Sequence, residues 1–160
     1  MDLSKFCSNT SKVNATIANQ LALYLTMYSP LQMAADFPEH YEQFADAFQF
    51  IKDVAVDWQK SKYLLAEPGD YIVVARKAKK SGQWFAGGVT DENSRTLDVP
   101  MNFLDPGKTY VAKIYADAPD ADYQKNPQAY VITEQEVTSE SVIPVFMARG
   151  GGFAIEFREK

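Results

Sequence analysis

Carboxylate side chains are abundant in this chain, and a two-carboxylate hydrolase would have to build its acid–base pair from them. The segment Asp91-Glu92-Asn93-Ser94 lies between two predicted strands, where turns favour these residue types because of their backbone hydrogen bonds. Glu134 and Glu136 alternate with Val137, which is typical of the solvent-facing side of a strand. Neither arrangement predicts a catalytic pair, and we assign no catalytic residue to the chain.

A further group of carboxylates, Asp117, Asp120 and Asp122, lies close together in the sequence. Calcium takes several oxygen ligands, often from one loop of this kind, but the spacing of an EF-hand and its glycine are absent. We interpret the segment as an acidic structural loop and predict no metal site and no cofactor site in the chain. The glycines at 150–152 predict a tight turn, because a phosphate-binding loop precedes a helix and here a predicted strand follows.

Aromatic rings are the remaining resource for ligand binding, since sugar rings can stack on Trp and Tyr. Trp84, Tyr115 and Tyr123 are the candidates for contact with a sugar or with another domain, and Trp58 and Tyr130 are further candidates by type. Trp84 lies in a predicted strand, one face of which normally belongs to the core. We therefore favour packing in the core or between domains, with a sugar platform as the alternative.

The composition describes a folded domain, with 160 residues, 46% hydrophobic, 13% aromatic and a net charge of −5. The acidic balance argues against nucleic acid and anionic membranes as partners, because both require clustered Lys and Arg. The basic run at 76–80 is interpreted as a solvated hairpin tip. Cys7 is the single cysteine, so no intrachain disulfide is expected. We find no stretch of membrane-spanning length and no signal-peptide character in residues 1–5.

Residues up to 53 are predicted to be helical. The first helix covers 16–28, with an N-cap at Asn14 or Thr16. Its apolar stripe is formed by Ile17, Leu21, Tyr24, Leu25 and Tyr28. A short second helix is expected from Pro30 through Ala35, and a third begins at Pro38. The apolar face of the third consists of Tyr41, Phe44, Ala45, Phe48 and Ile51. Because further apolar residues cover most of the first helix, we expect it to pack against a larger body. Three methionines, Met27, Met33 and Met101, are expected in the core.

The rest of the chain is predicted to consist of β-strands. The fold class is therefore mainly β with N-terminal helices: an antiparallel, Greek-key-like β-sandwich of seven or eight strands, preceded by two or three helices. The strands are expected at 71–75, 84–89, 95–103, 109–115, 129–137, 141–147 and 152–157. The character of the sequence changes once, which divides the chain into a helical part, 1–53, and a β part, 54–160.

Several short motifs occur in order along nearly the whole chain. The helical part contains Tyr28-Ser29-Pro30-Leu31-Gln32-Met33 and Phe50-Ile51-Lys52-Asp53-Val54. The β part contains Trp84-Phe85-Ala86-Gly87-Gly88-Val89, Asp120-Ala121-Asp122-Tyr123 and Gly150-Gly151-Gly152-Phe153-Ala154-Ile155. Together these motifs resemble the C-terminal region of bacterial glycoside hydrolases of family 97, and in combination they are far more specific than any one alone.

The resemblance implies a three-part parent enzyme with an N-terminal β-sandwich, a (β/α)8 barrel and a C-terminal β-sandwich. Residues 1–53 would then be a helical segment from the end of the barrel, and 54–160 the C-terminal β-sandwich domain. Such enzymes are α-glucosidases or α-galactosidases whose catalytic residues and calcium ligands lie upstream of the matched region. The resemblance therefore implies that this chain is non-catalytic, is inactive alone and holds no cofactor, with calcium in the barrel of the parent.

The role that the resemblance implies is support of the barrel and oligomerisation. The expected partners are the chain's own catalytic barrel and further copies of itself, without nucleic acid or membrane. The parent would be periplasmic or secreted. The alternative is a carbohydrate-binding module that holds oligosaccharide for the parent enzyme, and this alternative needs exposed aromatic rings on one face.

Overall fold

The computed structural model describes residues 13–34 and 37–160. Three helices precede eight strands in this part of the chain. The helices are α1 (Ile17–Thr26), α2 (Pro38–Glu42) and α3 (Ala45–Asp53). The strands are β1 (Trp58–Glu67), β2 (Tyr71–Ala78), β3 (Trp84–Thr90), β4 (Arg95–Pro100), β5 (Tyr110–Asp117), β6 (Tyr130–Val137), β7 (Val142–Met147) and β8 (Gly152–Glu159). The predicted fold class is confirmed.

Two antiparallel sheets of unequal width form the sandwich. The large sheet has the strand order β1-β2-β3-β8-β5-β6, and the small sheet pairs β4 with β7. The last strand of the chain, β8, thus lies between β3 and β5. Its inner face contributes Phe153, Ile155 and Phe157, which are buried against the small sheet. Burial of each such side chain is worth about 1.5–3 kcal/mol, so this central strand anchors the sandwich.

The helices cover the opposite face of the large sheet, which gives the molecule a third layer. A second apolar cluster joins Leu25 of α1 and Phe50 of α3 to Phe85, Tyr115 and other side chains on this face. Phe50 lies between the two sheet rings, with ring centroids 6.3 Å from Phe85 and 5.3 Å from Tyr115. The helical part of the chain and the β part therefore share one core. None of the described helices is long and apolar enough to cross a bilayer.

Glycines allow α1 to approach the sheet closely. The helix begins after Thr16, whose hydroxyl accepts a hydrogen bond from Asn19 N at 3.1 Å, as predicted for an N-cap. A Cβ placed on Gly152 would lie 2.9 Å from the Cα of Asn19, and a Cβ on Gly87 would lie 2.8 Å from Leu25 Cδ1. Any larger residue at Gly152 would push the helix away from the sheet.

The predicted helices were wrong in three places within the described residues. First, 30–34 is not helical. Ser29 Oγ accepts from Leu31 N, and the Gln32 amide donates to the carbonyl of Met27, so side-chain bonds to the backbone compete with helix formation. Second, α1 ends at Thr26 rather than at residue 28. Third, the helix predicted after Pro38 is divided into α2 and α3. Predictions for Cys7 and Ala35 lie outside the described residues.

Strand β1 was missed because its sequence is polar. Lys60, Ser61 and Lys62 interrupt the apolar alternation on which strand prediction depends. The strand pairs only with β2 and thus forms one edge of the large sheet, where lysines discourage pairing with other chains. The seven strands that were predicted are all present as β2 to β8, with boundaries shifted by a few residues. The predicted tight turn is confirmed too, since Gly151 N donates to Ala148 O and Gly150 has a φ of 62°.

Candidate functional site

The helical layer leaves an apolar groove on its outer side, which we call the helical groove. It has a volume of about 380 Å³ and lies between α1 and the α2–α3 pair. The α1 side contributes Ile17, Tyr24 and neighbouring side chains, and the opposite wall includes Tyr41 and Phe48, whose rings stack with centroids 4.5 Å apart. Burial raises the pKa of Tyr24, and the nearby Tyr41 adds to this effect. The groove is thus a preformed, largely apolar surface.

A segment of exposed apolar residues borders this groove. Met27, Tyr28, Leu31, Met33 and Phe37 are each between 51% and 77% exposed. Soluble proteins rarely expose so many large apolar side chains in one place, and contiguous patches of this kind mark sites of association. We call these five residues the apolar rim. The prediction that Met27 and Met33 belong to the core is therefore wrong, whereas Met101 is fully buried.

The stripe predicted on the third helix mostly lines this groove, and its Phe44 also contacts the Tyr130 ring of the sheet with centroids 6.3 Å apart. Tyr41, Phe44, Phe48 and Ile51 line the groove, and Ala45 is exposed. The buried side chains of this layer on the sheet side are Ala47 and Phe50. Apolar residues on two faces of the helices fit the expectation that this layer packs against a larger body in addition to the sheet.

A polar contact fixes the start of α3 on the edge strand β6. The hydroxyl of Tyr130 donates to Asp46 Oδ1 at 2.5 Å, and Ala47 N donates to the same oxygen at 2.8 Å. The Tyr130 hydroxyl, as the main cause, lowers the pKa of Asp46 below its ordinary value. Burial, together with this carboxylate, raises the pKa of Tyr130. The pair sets one side of the helical groove by holding α3 in place.

Two of the three predicted contact residues are not available to a sugar. Trp84 is 2% exposed and packs in the inter-sheet core, with its ring 5.1 Å from that of Phe103. Tyr115 has no exposed surface and lies under α3 against Phe50. A buried ring offers no face on which a sugar could stack, so the platform alternative is wrong for both residues. The same burial leaves neither ring free for contact with another domain.

Tyr123 is half-buried, and its ring is already engaged. The guanidinium of Arg149 lies 5.3 Å from the ring centroid. Gly150 is so close that a Cβ there would lie 3.0 Å from Tyr123 Cγ. Of the two other aromatic candidates, Trp58 packs on Phe85 with ring centroids 5.8 Å apart. Tyr130 serves the contact with Asp46 described above. Among the described residues, these five rings do not form one exposed aromatic face.

The carboxylates considered for chemistry are separated by their individual hydrogen bonds. Asp117 is buried and accepts from Ala148 N and Gly152 N, both at 2.8 Å. Asp122 caps the loop by accepting from Gln124 N and Lys125 N, and Asp120 accepts from the amide of Asn126. In the part of the chain that the structure describes, no three His, Cys, Asp or Glu side chains form a metal-binding group. The acidic loop is a folded turn held by its own carboxylates.

Asp91 has the turn role that the sequence suggested. It accepts from Asn93 N at 2.9 Å and forms an ion pair with Arg95. The hydrogen bond from Asn93 N is the main cause that lowers the pKa of Asp91 to about 2. The carboxylate therefore stays ionised near neutral pH and serves the connection between β3 and β4. Glu134 and Glu136 are exposed on the edge strand β6, as expected for the solvent-facing side of a strand.

Arg76 does not belong to a solvated hairpin tip, which corrects one prediction. It is 5% exposed, its Nε donates to the carbonyl of Leu25 at 2.6 Å and its Nη1 donates to Ser61 Oγ at 2.6 Å. The guanidinium thus caps the C-terminal end of α1, where a cation suits the helix dipole. No local pattern indicates this role, because Arg76 meets Leu25 only after the chain folds.

Comparison with known proteins places the whole arrangement in a family. A family described as glycosyl-hydrolase 97 C-terminal, oligomerisation, matches residues 57–158. A retaining α-galactosidase from Bacteroides thetaiotaomicron is 31% identical over 152 residues, which cover 95% of this chain and 22% of that protein. A probable retaining α-galactosidase from Streptomyces bingchenggensis is 29% identical over 88% of this chain and 20% of its own length.

Solved structures of family 97 enzymes also match this chain. A glycoside hydrolase family 97 enzyme from Pseudoalteromonas sp. strain K8, in complex with panose, is 44% identical with a TM-score of 0.92. The match covers 96% of this chain and 24% of that enzyme. A β-arabinopyranosidase shares the fold at 19% identity, with a TM-score of 0.72. The chain thus spans about a fifth to a quarter of the relatives that it matches. The chain belongs to the C-terminal oligomerisation domain family of the family 97 glycoside hydrolases.

Proposed function

We propose that this chain supports the catalytic barrel of a family 97 glycoside hydrolase through the helical groove and the apolar rim, and assembles that enzyme into an oligomer. The observation that carries the first part is the apolar rim. Its large side chains are exposed here, although burial of each would contribute about 1.5–3 kcal/mol. Exposed apolar surfaces of this kind mark the place where another body packs.

The occupant of this surface is the rest of the same enzyme. The matching relatives are four to five times longer than this chain, since the matches cover only 20–24% of their length. The match to the Pseudoalteromonas enzyme covers 96% of this chain and so includes the helical part as well as the sheets. A barrel in the same polypeptide is present at high effective concentration, which favours it over a separate partner.

The activity of the whole protein is hydrolysis of an α-glycosidic bond. The relatives support this class of substrate, because two are retaining or probable retaining α-galactosidases and one binds panose, an α-linked glucose trisaccharide. The panose-binding relative has the higher identity, 44% against 31% and 29%, so we favour an α-glucoside as the substrate. The catalytic residues and a bound calcium ion would belong to the barrel, and the enzyme would work in the periplasm or outside the cell.

One pair of substitutions tests the contact with the barrel. Leu31→Asp with Met33→Asp places two charges on the apolar rim, where both side chains are more than 70% exposed in this chain. In the isolated chain the double substitution is expected to leave the thermal midpoint nearly unchanged. In the longer enzyme it is expected to lower the midpoint and the hydrolysis of panose, because the charges would be buried against the barrel.

Tyr63→Asp is the matched control, since Tyr63 is 69% exposed on β1, away from the helical groove. It is expected to leave the thermal midpoint of both proteins and the hydrolysis of panose by the longer enzyme unchanged. Equal behaviour of the rim variant in the isolated chain and in the longer enzyme would show that the barrel does not cover the rim.

A further inference from the structure

Most of the apolar rim is carried by irregular backbone. Residues 27–33 follow the last residue of α1 and contain no helix or strand. Four of the five rim side chains belong to this segment and are 55–77% exposed: Met27, Tyr28, Leu31 and Met33. A segment with so little buried apolar surface gains little order from packing. Its shape therefore depends on its hydrogen bonds.

The side-chain amide of Gln32 closes this segment into a compact turn. Its Nε2 donates to the carbonyl of Met27 at 3.1 Å and to the carbonyl of Ser29 at 3.4 Å. In the same turn, Ser29 Oγ accepts from Leu31 N at 3.3 Å and donates to Leu31 O at 2.7 Å. Gln32 thus connects the two ends of the turn, since its partners lie five and three positions before it.

Arg76 fixes the start of the segment independently of Gln32. Its bonds to Leu25 O and Ser61 Oγ tie the end of α1 to the edge strand β1. Its Cζ also lies over the ring of Tyr28, 5.4 Å from the ring centroid. An arginine can form hydrogen bonds at its edge while an aromatic ring packs on its face. The remaining freedom of the segment therefore lies after Tyr28, in the turn that Gln32 closes.

The bonds of Gln32 contribute order rather than stability. The bond to Met27 lies at the surface, where water can replace it, so its net contribution to the free energy of unfolding is small. What the bond removes is the set of alternative shapes of the turn. Ordering a surface segment in advance strengthens binding, because less conformational freedom is lost when a partner packs on it.

We propose that Gln32 is a positioning residue that holds the apolar rim in the shape on which the barrel packs, and this rests on the barrel contact proposed above. Leu31 and Met33 flank Gln32 in the sequence and are the most exposed of the rim side chains. A turn that stays closed presents these two side chains to the barrel in one arrangement. An open turn would present them in many arrangements, of which few fit the barrel.

The first measurement is backbone NMR relaxation of the whole 160-residue chain, compared with that of Gln32→Met. Methionine has a similar length but no N–H group, so the variant loses both bonds. The backbone order parameters of 27–33 are expected to fall from about 0.85 to below about 0.6, while the thermal midpoint stays nearly unchanged. Gln135→Met is the matched control, because Gln135 is exposed on β6 and lies outside the helical groove. It is expected to change neither quantity.

The second measurement is amide hydrogen exchange of the same residues in the longer enzyme, where exchange requires transient opening of the contact. Gln32→Met is expected to exchange about three to ten times faster than the original, because the loosened turn loses the advantage of prior order. The rim variant Leu31→Asp with Met33→Asp is the reference for a broken contact, and a larger increase is expected there. A residue that only touches the barrel would change this exchange but not the order of the isolated chain.

The outcomes separate the role of Gln32 from the barrel contact itself. Loosening of 27–33 in the isolated chain, together with faster exchange in the longer enzyme, would support the proposal. An isolated Gln32→Met chain that is as ordered as the original would overturn it. A loosened segment with unchanged exchange in the longer enzyme would overturn it too, and the barrel contact would stand if the rim variant does speed the exchange. If neither variant speeds the exchange, the barrel contact fails, and the role of Gln32 with it.

Discussion

Gly152 of β8 faces Asn19 of α1 so closely that a Cβ on the glycine would lie 2.9 Å from the asparagine Cα and 2.6 Å from the carbonyl oxygen of Gly88. The same asparagine donates its side-chain amide to Gly151 O at 3.0 Å. Backbone therefore meets backbone where α1 crosses the large sheet. This contact fixes the position of the helix and, with it, one wall of the helical groove.

Gly152→Ala is expected to destabilise the chain by about 2–3 kcal/mol, because the atoms in the way belong to backbone and cannot rotate aside. Gly87→Ala is expected to cost less, since its nearest obstacle is the flexible end of Leu25. Denaturant unfolding measures both. Gly69→Ala is the control for an open position with a φ of 95°, expected to cost about 1 kcal/mol from strain alone. A Gly152→Ala variant no less stable than Gly69→Ala would contradict the close contact.

Asp117 holds the β7–β8 connection through two buried backbone groups. Asp117→Ala is expected to cost about 2–5 kcal/mol, because Ala148 N and Gly152 N would both lose their acceptor in the interior. Asp117→Asn retains one acceptor oxygen and is expected to cost much less. If the two variants unfold at the same denaturant concentration, these hydrogen bonds are not what makes Asp117 important.

The pH dependence of Asp117 has a defined sign. Burial raises its pKa in the folded chain above the ordinary value of 3.8. Between 3.8 and the raised pKa, the folded chain holds a proton that the unfolded chain has lost, so the free energy of unfolding falls as the pH rises through this window. Asp117→Asn lacks this dependence. The original chain is expected to gain stability relative to Asp117→Asn as the pH is lowered, and an opposite slope would contradict the raised pKa.

The Tyr130–Asp46 contact predicts a titration of the opposite sign. The Tyr130 hydroxyl lowers the pKa of Asp46, so the pair contributes stability above pH 3.8 and loses it as the pH falls through the lowered value. Tyr130→Phe is expected to move the pKa of Asp46 upward, as followed by carbon-detected NMR of the carboxyl group. Asp91 is an internal control, because Asn93 and Arg95 hold its pKa near 2 independently of Tyr130. An unchanged Asp46 titration in Tyr130→Phe would show that the hydrogen bond is absent in solution.

The isolated chain is expected neither to hydrolyse p-nitrophenyl α-glucoside or α-galactoside nor to bind panose. Binding is not expected because the ring of Trp84 is 2% exposed and that of Tyr115 is fully covered. Hydrolysis is not expected because the carboxylates considered for chemistry are separated by their individual hydrogen bonds. A two-dimensional NMR titration with panose checks the binding. Localised shifts around Tyr123 and Arg149 would instead favour the carbohydrate-binding alternative for that loop.

The sequence by itself determined most of the elements and their order. The apolar spacing in 17–25 indicated a helix, Thr16 its cap, and the alternation and turn residues after 68 indicated most of the strands. These signals are local, because they depend on residues within a few positions of one another. The ordered motifs determined the family resemblance for the same reason, since a motif is a contiguous run. Strand β1 was not predicted because Lys60 and Lys62 interrupt its apolar pattern. Edge strands often carry such lysines, which discourage pairing with other chains.

Only the tertiary structure decided which side chains are surface and which are core. Trp84 and Met33 are both apolar, yet the first is 2% exposed and the second 77% exposed. That difference depends on where the small sheet and the helices end over the large sheet, which no local pattern encodes. The role of Arg76 at the end of α1 arises in the same way, from residues that meet only when distant elements pack together.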